Sequence, residues 1–380
     1  MSLSFLFALS AAVHAYVGWR LGPLLPLWGA WSLAAVLLAS AMLVPLSLIA
    51  FRMRGSRAKV WVSWTGLLFM GLFSSLFVLT LGRDLLLAAA HGLALIWPQA
   101  QPSTAFLATS AQTVPLLAAL ASLLGFLNAR RTASVVQVDV PINDLPEALR
   151  GFTIAQISDI HVGTTIRHGY LQAIVERVNG LQADVVAITG DLVDGSVREL
   201  AEHVAPLGTL SSKHGTYFVT GNHEYYSGAH AWIQELRRLD IAVLLNEHVV
   251  IEREGHAMVL AGVADYTAHH FDPSHQSDPV KALANAPGHA AVKVLLAHQP
   301  RSASQAAQAG FDLQLSGHTH GGQFWPWNLF VPLQQPYTAG LHRLQSLWIY
   351  VSRGTGYWGP PKRFGAPSEI THVRLVPAKR

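Results

Sequence analysis

Hydrophobic and polar positions follow two different rules on either side of residue 131. Before it, charges are almost absent: residues 2–19, 21–51, 60–82 and 85–129 hold no Asp, Glu, Lys or Arg. About 20 apolar residues suffice for a helix to cross the hydrocarbon core of a bilayer. The pattern therefore predicts spans at 3–20, 28–50, 61–82 and 106–127, with 85–97 extending the third helix or lying at the interface. After residue 131, short apolar runs alternate with helical periodicity. Strands are predicted at 135–142, 152–158, 183–190, 215–221, 242–246, 256–263, 292–298, 311–317 and 347–353, and helices at 170–181, 231–239 and 302–310. Strands interleaved with helices of this length predict an α/β domain.

Composition sharpens this division. Only 13% of the 380 residues are charged, about half the usual share for a soluble domain. Residues 1–131 contain eight Lys and Arg and one acid, net +7; the rest contains 18 basic and 21 acidic residues, net −3. The basic character thus belongs to the apolar third and argues against a nucleic-acid partner. The absence of cysteine excludes disulfides, thiolate metal sites and a Cys nucleophile.

Lys and Arg in short loops set orientation. Residues 51–59 carry four and 128–131 two, whereas the stretches near 21–27 and 98–105 carry none. With four spans, both basic stretches and everything after residue 131 face the cytoplasm. A signal peptide is the competing reading of residues 1–20, but a charged leading region is missing. The pair Arg83-Asp84 is costly at mid-bilayer and is expected near a surface or against itself. His14 and His91 are read as helix-facing or interfacial.

Five apolar runs in the second part end in polar clusters: SDIHVG (158–163), GDLVDG (190–195), GNHEYY (221–226), AHQP (297–300) and SGHTHGG (316–322). Ligands of open α/β sheets bind beyond the carboxyl ends of strands, so these clusters can converge. Taken singly, each has a bland reading as a cap, a turn or a hydrogen-bonded histidine. Their ordered combination does not.

The order D-x-H, GD, GNH, H, GHTH resembles the signature of the calcineurin-like metallophosphoesterases, from about residue 150 to the end. The late stretch SRGTGYWGPPKRFGAPSEI (352–370) resembles the terminal segment of a membrane-associated branch similar to bacterial phosphodiesterases and UDP-2,3-diacylglucosamine hydrolases. The resemblance implies two packed mixed β-sheets flanked by helices in 132–380, following all-α transmembrane helices in 1–131. It also implies one divalent cation on Asp159, His161 and His320, a second on Asn222, His298 and His318, and Asp191 bridging them. Such oxygen and imidazole donors suit Mn first, with Fe, Zn, Co or Mg as alternatives. A hydroxide shared by the two metals would attack phosphorus, and His223 would stabilise or protonate the leaving oxygen. The residue after GNH, commonly Asp in the family, is Glu224, and Asp194 is a supporting or turn residue. Arg353 and Arg363 are candidates to hold substrate phosphate, against a reading as ion pairs. The aromatic run after Gln323 is either a substrate wall or core. The remaining histidines, His230 and His275 among them, are read as surface residues.

The function expected is a multi-pass inner- or plasma-membrane phosphoesterase, its catalytic domain cytoplasmic, cutting a phosphodiester or pyrophosphate, preferably lipid-linked. A general phosphodiesterase merely anchored to the membrane is the alternative. A non-catalytic metal-binding scaffold would have lost ligands, and a transporter would carry more intramembrane charge pairs. Protein partners are unknown.

Overall fold

The computed structural model describes residues 2–50 and 57–378. It separates into two units, the first comprising residues 1–128 with 359–364, the second residues 129–358 with 365–380.

The first unit consists of α1 (Leu3–Leu21), α2 (Leu27–Ile49), α3 (Arg57–Ala94) and α4 (Thr104–Arg130). The stretch after residue 84 continues α3, giving one helix of 38 residues. Among the described residues, three helical stretches are long and apolar enough to cross a membrane: Leu27–Ile49, Arg57–Ala94 and Pro98–Arg130. α1 has 19 residues but includes Ser4, Ser10, His14 and Arg20 and does not join those three. Four spans were expected. Of the cations in 51–59, Arg52 and Arg54 lie outside the described residues, while Arg57 and Lys59 begin α3.

Small and apolar side chains such as Val17, Leu37, Ala111 and Ala118 fill the interior of this unit. Its largest apolar side chains point outward instead. Trp19, Trp28, Trp31, Trp61 and Trp97 are all exposed, and all lie at or near helix ends. An apolar exterior with terminal tryptophans suits lipid with a headgroup boundary. Asp84 is shared: Arg20 Nε and Nη2 donate to it at 2.7 and 2.9 Å, Tyr16 Oη donates at 2.7 Å, and Arg83 Nη1 lies at 3.5 Å. His14 is helix-facing, its Nε2 lying 2.8 Å from Ser40 Oγ.

In the second unit the strands are β1 (Ser134–Ile142), β2 (Thr153–Ile157), β3 (Val185–Thr189), β4 (Thr216–Val219), β5 (Ala242–Val243), β6 (Glu247–Arg253), β7 (His256–Gly262), β8 (Val292–Leu296), β9 (Leu313–Ser316), β10 (Gly340–Leu344), β11 (Leu347–Val351) and β12 (Glu369–Pro377). The helices are α5 (His168–Asn179), α6 (Val197–Val204), α7 (Asn222–Ser227), α8 (Ala229–Arg238), α9 (Pro279–Ala282) and α10 (Ala303–Ala309). One six-stranded sheet runs β1-β12-β2-β3-β4-β5, the other β10-β11-β9-β8-β7-β6. Both are mixed: β2, β3, β4 and β5 are parallel neighbours, as are β7, β8, β9 and β11.

Strand periodicity builds three apolar layers. Ile154, Val185, Ala187, Met258, Leu260, Val294 and Leu313 face the core between the sheets. Their neighbours Ala155, Val186 and Ile188 face α5 and α8, and Val259, Ala261 and Leu295 face the opposite outer layer with Ala303 and Ala306 of α10. Both faces of a central strand being covered, its sequence is apolar throughout. α5 presents Leu171, Ile174, Val175 and Val178 to this core, one face of a 3.6-residue period.

Besides elements that no predicted run covers, such as β6 and β10, two further results depart from the predicted elements. The run 242–246 forms only the two residues of β5. The strand β12 is inserted between β1 and β2, parallel to one and antiparallel to the other. Gln156, fully buried, donates to Thr189 Oγ1 and to the Ser316 carbonyl, both at 2.9 Å, linking β2, β3 and β9 beside the loops that follow them.

Candidate metal centre

The parallel strands β2, β3 and β4 of one sheet and β8 and β9 of the other end in the five polar clusters. Asp159 and His161 follow β2, Asp191 follows β3, Asn222 and His223 open α7 after β4, His298 follows β8, and His318 and His320 follow β9. The fold brings these side chains together in two groups. In the first, His161 Nε2 lies 3.0 Å from His320 Nε2, which lies 3.5 Å from Asp159 Oδ1. In the second, His298 Nε2 lies 3.2 Å from both Asp191 Oδ2 and His318 Nδ1. Asp191 Oδ2 also stands 3.9 Å from His161 Nε2, which puts it between the groups.

Hydrogen bonds on the far side of each ring decide which nitrogen faces inward. Asp194 Oδ1 lies 3.0 Å from His161 Nδ1, and the Thr189 carbonyl lies 2.8 Å from His298 Nδ1. Those acceptors hold a proton on each Nδ1, so each Nε2 is turned toward other nitrogens and carboxylates. Such convergence demands positive charge. Burial opposes it at His298, yet the Asp191 carboxylate outweighs burial and pulls that imidazole well above its usual range. Burial, with the His298 charge beside it, holds His318 at about 3, so its ring is neutral and able to donate a lone pair.

Asn222 supplies a second sign. Its Oδ1 is buried and has no hydrogen-bond partner among the described residues, which costs about 1–3 kcal/mol unless something electropositive meets it. The donor set therefore fits divalent cations that prefer oxygen and imidazole.

Backbone strain collects here as well. Asp159, His161, Asp191, His318 and His320 have φ of 52°, 56°, 51°, 72° and 52°. Left-handed non-glycine residues persist where surrounding structure holds them, and they gather at functional sites. Two glycines permit the close approach of the loops. A Cβ on Gly317 would overlap Ser158 Oγ and the Asp159 carboxylate, and one on Gly221 would overlap the Asp191 carboxylate.

Other polar groups brace the constellation. His223 donates its backbone N–H to Asp191 Oδ1 at 2.9 Å, and its Nδ1 lies 2.6 Å from Asp194 Oδ1. Burial lowers the basicity of His223, but the Asp194 hydrogen bond and the Asp191 charge prevail, lifting its pKa to about 9. Asp194 thus orients two imidazoles at once. Its substitution by Asn should weaken metal binding about 10- to 100-fold, read as the free-metal concentration that half-restores activity to chelated protein. Glu224 accepts from the N–H groups of Gly221, Leu192 and Asp191 at 2.6, 2.8 and 3.0 Å. The longer side chain in place of Asp is therefore fully used.

Arg353 lies beside this centre, its Cγ 3.1 Å from where a Cβ on Gly321 would stand, and its Nη1 pairs with Glu369 Oε2 at 2.7 Å. Arg363 belongs to the first unit, fully buried, its N–H donating to the Gly125 carbonyl at 2.8 Å. Of the aromatic run, Phe324 is buried while Trp325 and Trp327 are exposed, followed by exposed Leu329, Phe330 and Leu333. Trp358 lies 5.6 Å from the His223 ring and exchanges two 2.8 Å hydrogen bonds with the side chain of Gln323. His275, expected at the surface, is largely covered and hydrogen-bonded to Tyr225 at 2.8 Å, because the 268–275 segment folds back on α7.

Comparison with known proteins agrees with this geometry. A family model described as calcineurin-like phosphoesterase matches residues 152–322. A transmembrane protein with metallophosphoesterase domain from Danio rerio is 40% identical over 271 residues, taking in 69% of this chain and 62% of that protein. Its Bos taurus counterpart is 43% identical over 270 residues, 68% of this chain and 60% of the relative. A metallophosphoesterase of Aquifex aeolicus is 32% identical over 224 residues, 58% of this chain and 84% of its own length. The chain spans less than two thirds of the two animal relatives.

Proposed function

Because this chain belongs to the calcineurin-like metallophosphoesterase family, we propose that it is a membrane-bound, dinuclear-metal phosphoesterase that cuts a phosphodiester or pyrophosphate carried by a lipid. The observation that carries the reading is the convergence of inward-facing imidazole nitrogens and two carboxylates beyond the ends of strands of both sheets, together with the buried, unpartnered Oδ1 of Asn222. Asp159, His161 and His320 would hold one cation, Asn222, His298 and His318 the other, and Asp191 both. Two divalent cations bound there supply Lewis acidity, acidifying water and drawing charge from phosphoryl oxygens. Manganese is our first choice among the metals such donors suit.

The protein's own groups do the rest. His223, anchored through Nδ1 by Asp194, turns Nε2 toward Asp191 at 3.9 Å and would pass a proton to the departing oxygen. Arg353, held by Glu369 beside the centre, would meet a phosphate oxygen; Arg363, buried in the other unit, is the weaker candidate for that role. The lipid part of the proposal is supported by two features. The helical unit has three stretches fit to cross a bilayer. Residues 321–341, directly after the GHTH motif, contain no charged side chain and expose Trp325, Trp327, Leu329, Phe330 and Leu333. Such a surface suits acyl chains better than water. A multi-pass topology with the catalytic unit in the cytoplasm follows from the basic residues at 51–59 and 128–131.

The test is a substrate panel on full-length protein in detergent, metal-stripped and resupplied with Mn, Mg, Co, Zn or Fe. Bis-p-nitrophenyl phosphate and UDP-2,3-diacylglucosamine should be cleaved only with metal, and p-nitrophenyl phosphate poorly. Cleavage of the simple diester with none of the lipid points to a general phosphodiesterase that is merely anchored. Monoester cleavage alone overturns the diester assignment, and metal binding without any turnover leaves a scaffold.

A further inference from the structure

Outside the centre just described, among the described residues, His230, Asp272 and His275 place one ligand atom each within 4.8 Å of one another. We propose that these three side chains form a separate zinc site, which staples the 268–275 segment to α8, the helix directly after the one that carries Asn222, His223 and Glu224.

The three residues come from two elements. His230 is the second residue of α8, whereas Asp272 caps and His275 ends a single 3-10 turn, Pro273–His275. Asp272 divides its carboxylate between two tasks. Oδ1 accepts from Ser274 N at 2.9 Å and Ser274 Oγ at 2.7 Å, capping the turn. Oδ2 is thereby aimed at His230 Nε2, 3.0 Å away, and at His275 Nε2, 3.9 Å away. Donor atoms about 2.0–2.1 Å from a tetrahedral zinc lie about 3.3 Å from each other, and the two separations bracket that value.

The far side of the His275 ring is also held. His275 Nδ1 lies 2.8 Å from Tyr225 Oη, so the far nitrogen is engaged and Nε2 is turned to the cluster, the arrangement that orients metal-bound histidines. His275 has only 13% of its side chain exposed, while His230 has 71%. One ligand is thus fixed, and the other sits on the open side where an ion can enter. Two imidazoles and one carboxylate, with water completing the coordination, are a donor set that favours zinc over the harder magnesium or calcium.

The position gives the site a consequence. Tyr225 lies in α7, three residues after Asn222, and its ring is 5.8 Å from Phe271. Phe271 in turn lies 5.5 Å from Tyr226, which lies 5.2 Å from His223. Zinc at His230, Asp272 and His275 would fasten this ring stack, and with it the start of α7, without touching the phosphoesterase ligands.

Full-length protein in detergent, stripped and titrated with zinc, is expected to take up three equivalents by elemental analysis. His230→Ala and Asp272→Asn should each take up two, with the third equivalent weakened at least about tenfold. Tyr225→Phe keeps all three ligands and should retain it at reduced affinity. The same titration in an Asp191→Ala background reads this site apart from the dinuclear centre: one equivalent must still depend on His230. Equal uptake by the parent protein and the His230→Ala variant, in both backgrounds, overturns the proposal and leaves a simple histidine–aspartate ion pair.

Discussion

Asp191→Ala is expected to lower metal-dependent diester hydrolysis by about three orders of magnitude, equivalent to about 4 kcal/mol of lost transition-state stabilisation. Its side chain is shared among three histidines. Its Oδ2 is 3.2 Å from His298 and 3.9 Å from both His161 and His223, and its Oδ1 accepts the His223 backbone N–H at 2.9 Å. On the proposed assignment, removing the carboxylate would take a ligand from both cations and leave the His161, His223 and His298 nitrogens without their shared acid. Asp191→Asn separates charge from shape, since the amide can still accept from His223 but brings no negative charge. Both variants should bind fewer than two equivalents of manganese by elemental analysis and show correspondingly low kcat/KM. Two tightly held equivalents with an undiminished rate would remove Asp191 from the bridging position.

The second large effect concerns stability. Glu224→Ala strips the acceptor from three buried N–H groups, those of Gly221, Leu192 and Asp191. An orphaned buried donor costs about 1–3 kcal/mol. The variant should therefore lose at least about 3 kcal/mol, a large part of the 5–15 kcal/mol typical of a folded domain. In a unit of this size that corresponds to a fall in Tm of about 10 °C. Glu224→Gln retains one oxygen and should fall between parent and alanine variant. Circular dichroism melts of detergent-solubilised protein provide the measurement, and a Glu224→Ala melt within 2 °C of the parent, about one noise width on this scale, would contradict the bracing role. The two predictions are distinct: Asp191 acts on chemistry first, Glu224 on the loops that hold Asp191 in its left-handed conformation.

These residues also show where sequence reasoning succeeds. Strand-end clusters such as SDIHVG and GHTHGG were legible because donor type and position after an apolar run are both local properties. The same reading marked Asp159, His161, Asp191, Asn222, His298, His318 and His320; the structure brings six of them into two adjoining groups and leaves the buried Asn222 Oδ1 without a hydrogen-bond partner among the described residues. It noticed Glu224 only as a departure and Asp194 as a supporting or turn residue. Glu224 reaches amides more than 30 positions away, and Asp194 orients His161 33 positions back and His223 29 positions on. Nothing local marks either bond. The strand β12 escaped notice for a related reason: it lies at the end of the chain but is inserted between β1 and β2, so its pairing is wholly non-local.

The pairing of His230 with Asp272 and His275 belongs to the same class. Forty-two residues separate His230 from Asp272, and no spacing motif joins them.

By itself, the sequence determined that an apolar, basic helical third precedes an α/β unit, and which side chains could ligand a metal. Hydrophobic period and residue chemistry are carried by near neighbours, and those survive in one dimension. Tertiary structure alone decided which nitrogen of each imidazole turns inward, which carboxylates steady the loops, and which aromatic residues stay exposed. Those choices depend on hydrogen bonds and packing between segments that meet only after the two sheets close on one another.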